Sequence, residues 1–163
     1  METAEAAESA EAAARTVLRL LAVGDIETVW LLLHEDCRRA VLEELSPSHE
    51  AGVVVGYGPN INQTLAANAA RQPLLDSVGG LAWAAAERRV RTVDVTVADD
   101  VVVITLEVDG ESGWRWDIEM MLTDAGWQWH NVFNYRSTER RLPVQGRPRA
   151  PLTGSSRPPL VRR

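Results

Sequence analysis

At Arg89 the hydrophobic period of the chain changes from about 3.6 to 2, and this change limits the fold more than any composition figure does. Before it, apolar residues recur at helical spacing. After it come four alternating segments, 89–98, 101–108, 114–122 and 127–136. They are separated by Asp99-Asp100, by Asp109-Gly110-Glu111-Ser112-Gly113 and by Thr123-Asp124-Ala125-Gly126. Links this short close only antiparallel hairpins, so the second half is expected to be a four-stranded meander. Helices first and strands afterwards make an α+β fold, with N-terminal helices packed on a curved antiparallel sheet.

The turns set the pairing, and the pairing says which face is buried. With a two-residue turn at 99–100, Val97 faces Val102, Val95 faces Ile104 and Val93 faces Leu106. The same parity carries Trp114, Trp116, Ile118, Met120 and Leu122 onto that face. Trp127, Trp129, Asn131, Phe133 and Tyr135 follow. A slip of one residue would expose four indoles, so burial fixes this register. The Trp-rich face is therefore expected against the helices, with Asn131 and Tyr135 as polar interruptions. A buried amide or hydroxyl costs roughly 1–3 kcal/mol unless it finds a partner, so these two either bond backbone or line a cavity.

Helical spacing also divides the first half. The Ala/Glu stretch over 1–14 offers little to bury and is expected as a flexible lead-in. A helix follows to Val23, with Gly24 suited to its C′ position and Asp25 to the N-cap of the next helix, Ile26 to Leu33. Asp36 is expected to cap a third helix over 37–45, stopped at Ser46-Pro47. Residues 51–59 read as a short strand or glycine-rich loop. Asn60 is suited to cap a helix from Ile61 to Gln72 that ends at Pro73. Residues 74–88 fit helix or strand.

Charge separates a body from a tail. Eight Arg and one acid, Glu139, fall in 136–163, giving that segment +7 and leaving −13 on the rest of a 163-residue chain whose net charge is −6. A body so acidic repels phosphate backbones, so no nucleic acid is expected there. The segment 137–163 holds five of the eight prolines. It is expected to be disordered and suited to a protein partner or an acidic surface. The domain proper is expected over 15–136. One cysteine, Cys37, excludes an internal disulfide and a multi-thiolate metal cage. No apolar run is long enough to span a membrane, and the first residues lack the layout of a secretory leader, so a reducing cytoplasm is the expected address.

The helices joined through Gly24-Asp25, followed by a long meander ending in Gly126-Trp127-Gln128-Trp129, resemble the nuclear-transport-factor-two-like superfamily over roughly residues 15–136. That superfamily includes polyketide-cyclase-like proteins, limonene-epoxide-hydrolase-like enzymes, ketosteroid isomerases and non-catalytic members. The resemblance implies a cone-shaped sheet with a ligand at its mouth and a homodimer. No acidic and tyrosine arrangement can be carried over from the isomerase or epoxide-hydrolase site.

The expected pocket is built from Trp30, Tyr57, Trp83, Trp116, Trp129, Asn131, Phe133 and Tyr135, large aromatics around a few polar groups. Its expected ligand is a small hydrophobic or aromatic molecule, bound without a cofactor. Cyclisation, isomerisation or hydrolysis would be the chemistry if the domain is an enzyme. The alternative is a non-catalytic interaction or dimerisation module acting through the sheet face or the Arg/Pro-rich tail. Two further clusters read as structural. Glu119 and His130 face each other across strands with Asp117 and Thr105 nearby, an arrangement common on exposed sheet faces. His34, Glu35, Asp36 and Cys37 lack a second ligand at metal spacing, so no metal is expected. The stretch Gly52 to Gly58 lacks the ending of a phosphate loop and is suited to a lid carrying Tyr57.

Overall fold

The computed structural model describes residues 3–45, 63–110 and 113–138. Four helices precede four strands: α1 (Thr3–Val23), α2 (Ile26–Leu32), α3 (Glu35–Leu45), α4 (Gln63–Ala86), β1 (Val90–Ala98), β2 (Val101–Val108), β3 (Trp114–Thr123) and β4 (Gly126–Arg136). The strands form one antiparallel sheet in the order β1-β2-β3-β4, so the fold is α+β with a meander. The tail beyond Thr138, the glycine-rich stretch, Asn60 and Tyr57 lie outside the described residues.

The expected lead-in over 1–14 is instead the first half of α1, which begins at Thr3 and buries Ala6, Ala10 and Ala14. Alanine has the highest helix propensity and lets a helix approach the sheet closely, so little side-chain area is needed to anchor it. The Thr92 hydroxyl donates to Glu11, while Arg15 donates to Thr92 Oγ1 at 2.8 Å and to the Val90 carbonyl at 3.3 Å. Gly24 ends the helix at φ +83°, with Asp25 N bonding Leu20 O at 3.0 Å and Gly24 N bonding Leu21 O at 3.2 Å. That paired closure is the left-handed cap a glycine permits. Asp25 caps α2 as expected, its carboxylate accepting from Thr28 N.

Two helix boundaries differ from expectation. The cap of α3 is His34 rather than Asp36: its Nδ1 accepts from Asp36 N at 3.0 Å and its carbonyl accepts from Arg38 N. The helix α4 runs through Pro73 to Ala86, which also settles 74–88 as helix as far as Ala86. An internal proline costs about 3 kcal/mol in an isolated helix. Here Pro73 is buried with Ala66, Ala67, Ala70, Leu74, Val78 and Leu81, and contacts with α1, α2 and α3 offset the missing bond.

The sheet register agrees with the expected one over most of its length: Val97↔Val102, Val95↔Ile104, Ile104↔Ile118, Leu106↔Trp116, Met120↔Trp129 and Leu122↔Trp127. Two bulges break it. At Val93 the ladder shifts, so Leu106 faces Thr92. At His130 it shifts again, giving Glu119↔Asn131, Ile118↔Val132, Asp117↔Phe133 and Trp116↔Asn134. An extra residue turns everything beyond it to the other face. Val132 therefore joins the helix-facing core, and Asn131, Phe133 and Tyr135 leave it, contrary to the sequence expectation. Trp116, Trp129, Ile104, Ile118 and Met120 remain in that core.

Candidate functional site

The residues expected to form one pocket divide among three places. Trp30, Trp116 and Trp129 are buried in the helix–sheet core. Trp83 is 60% exposed on α4, beside an open groove of about 210 Å³ lined with Leu21, Ile26, Arg71 and Leu75. Asn131, Phe133 and Tyr135 share the opposite face of the sheet with Asp117 and Glu119.

That opposite face holds a polar network of buried side chains. Thr105 donates to Asp117 Oδ1 at 2.6 Å, and the Tyr135 hydroxyl donates to the same oxygen at 3.1 Å. The Asn131 side-chain oxygen accepts from Val132 N at 2.8 Å, so this amide bonds backbone. Glu107 receives Arg91 at 3.1 Å and Arg115 at 3.0 Å. Burial works against the Glu107 charge, but these two guanidinium bonds outweigh it and hold its carboxyl below its ordinary 4.5. A carboxylate stabilised in the fold contributes fully above its unfolded pKa and loses that contribution as pH falls through the folded value. Replacing Glu107 with Gln is therefore expected to flatten the acid-side fall of Tm with pH, as measured by calorimetry.

The helix-facing side carries indole and amide donors. Trp116 Nε1, Trp127 Nε1, Trp129 Nε1 and Asn134 Nδ2 are buried donors with no hydrogen-bond partner among the described residues. Trp116 and Asn134 are direct cross-strand partners. The amide beside the indole is thus Asn134 rather than the expected Asn131. The adjacent polar pair His130-Asn131 and the three-residue apolar step from Trp129 to Val132 were the available signs of the bulge.

The bulge also joins His130 and Glu119 to His34 and Asp36 in one cluster. Leu33 pairs in parallel with Trp129, and His34 N donates to Trp129 O at 2.8 Å, which fixes the α2–α3 junction on β4. His130 Nε2 then lies 3.2 Å from Asp36 Oδ2, and His130 Nδ1 lies 3.7 Å from Glu119 Oε1. His34 Nδ1 is 3.8 Å from Asp36 Oδ2, and the two imidazole rings meet edge to face at 4.9 Å. Cys37 is next to this cluster in sequence but wholly buried, and burial raises its thiol pKa far above the usual range. It is therefore a protonated core side chain rather than a nucleophile or ligand.

Comparison with known protein families, with curated proteins and with solved structures finds no match. Among the described residues, no helix is long and apolar enough to cross a membrane.

Proposed function

We propose that the chain is a small-molecule-binding domain of the nuclear-transport-factor-two-like kind. Its ligand is an apolar or aromatic compound carrying a hydrogen-bond acceptor, held on the helix-facing side of β3 and β4. The observation that supports this reading is the pair of cross-strand neighbours Trp116 and Asn134, whose buried N–H groups lack an acceptor among the described residues. Each such donor costs about 1–3 kcal/mol, and a Phe or Leu of similar size would avoid the cost. A carbonyl or carboxylate placed between the two would satisfy both. The same donors would polarise a bound carbonyl, the assistance that an isomerase, cyclase or hydrolase requires.

A panel of aromatic ketones and carboxylic acids, followed by thermal shift and tryptophan fluorescence, tests the proposal. At least one compound should raise the Tm of the parent chain, and both Trp116→Phe and Asn134→Leu should abolish that shift. Without ligand, Asn134→Leu should be neutral or stabilising, because it removes a buried donor that has no acceptor among the described residues. A panel that leaves the Tm unmoved, or a shift that survives both substitutions, overturns the reading.

A further inference from the structure

The cluster at the α2–α3 junction is separate from the donors of the proposed ligand site and has a different chemistry. Its atoms are two imidazole nitrogens and a carboxylate oxygen contributed by His34, Asp36 and His130, all within 4.8 Å of one another. We infer that these three residues form a binding site for a borderline divalent cation of the Zn²⁺ class.

The spacing carries the inference. An ion about 2.0–2.1 Å from each ligand, with tetrahedral angles, holds its ligand atoms about 3.3 Å apart. The distance from Asp36 Oδ2 to His130 Nε2 is 3.2 Å, and that from Asp36 Oδ2 to His34 Nδ1 is 3.8 Å. The two histidine nitrogens lie within 4.8 Å of each other, so closing the triad around one ion requires the imidazoles to rotate toward it by up to about 1.5 Å. Two nitrogens and one oxygen suit zinc better than the all-oxygen shells that calcium and magnesium take.

The surroundings match what such a site needs. A metal-ligating histidine usually donates its other ring N–H to a carboxylate, which fixes the tautomer and strengthens the ligand. Glu119 Oε1 stands 3.7 Å from His130 Nδ1, an ion-pair distance from which a small shift would form that hydrogen bond. Arg39 lies 3.7 Å from Asp36 Oδ1, leaving Oδ2 as the oxygen turned to the histidines. The backbone fixes the approach, because His34 N is bonded to Trp129 O one residue before the bulge at His130. His34 Nδ1 also accepts from Asp36 N, so ion binding exchanges that capping bond for a coordinate bond. Three protein ligands leave a fourth position for water or another small ligand.

The test is calorimetric titration of the untagged chain with Zn²⁺, with Co²⁺ absorption reporting coordination number. One equivalent should bind, with the intense visible bands of a four-coordinate Co²⁺ ion. Asp36→Asn, His130→Gln and His34→Asn should each weaken binding more than Glu119→Gln, for which a loss of about 10–100-fold is expected. Asn at position 34 keeps a capping side chain, so this variant should fold normally. Absence of stoichiometric uptake by the parent overturns the inference without any variant. Uptake unchanged in the three ligand variants, with native circular dichroism, overturns it as well. Neither readout depends on the organic ligand proposed above.

Discussion

Replacing Ala10 with Asp is expected to destabilise the fold by about 3–5 kcal/mol, the usual cost of leaving a charge buried and unpaired. Ala10 is wholly buried, within the core cluster that joins α1 to the sheet. Had residues 1–14 been a lead-in outside the core, the same change would fall within about 0.5 kcal/mol, as exposed substitutions do. Ala12, two residues on, is exposed. Ala12→Asp therefore supplies the control and should cost only the roughly 0.5 kcal/mol of lost helix propensity. Urea unfolding measures both: the midpoint should move strongly for Ala10→Asp and little for Ala12→Asp. The Ala10→Asp penalty should also shrink as pH falls into the carboxylate range. Burial raises the pKa of the new acid in the folded state, so protonation removes the charge that the fold disfavours.

That contrast explains what the sequence conveyed about the helices. Periodicity located the Gly24 closure and the Asp25 cap because each rests on chemistry local to a few residues. It missed the first half of α1 because alanine carries almost no hydrophobic signal, although Ala10 and Ala14 are as buried as Leu18. It missed the passage of α4 through Pro73 because the compensation is tertiary: the helix is buried against three others.

The sheet divides in a similar way. Alternation and turn length set strand order and most of the register, and both agree with the structure. A bulge adds one residue without changing composition, so simple alternation does not carry beyond His130, and Asn134 rather than Asn131 lies on the helix-facing side. The same bulge lies beside the meeting of His34 and Asp36 with His130. Residues 94 positions apart carry no spacing signal that would connect them.

Trp129 lies where these features join, and Trp129→Ala is expected to cost about 3–5 kcal/mol, as large aromatic truncations in packed cores do. Its indole is 2% exposed opposite Met120, while its backbone meets Leu33 and His34. The loss should lower the urea midpoint with the slope unchanged, since the unfolded chain exposes nearly the same surface. Against a total stability of about 5–15 kcal/mol, it would remove a large share of the fold's margin. Trp129→Phe should cost much less, because most of the ring volume stays and an N–H without an acceptor among the described residues disappears. Hydrogen exchange separates the local from the global effect. The His34 amide, bonded to the Trp129 carbonyl, should lose more protection in Trp129→Ala than amides of β2 do, because the edge of β4 loosens before the central strands. Equal loss at both would mean that Trp129 supports only the whole core and not the junction of α2 and α3.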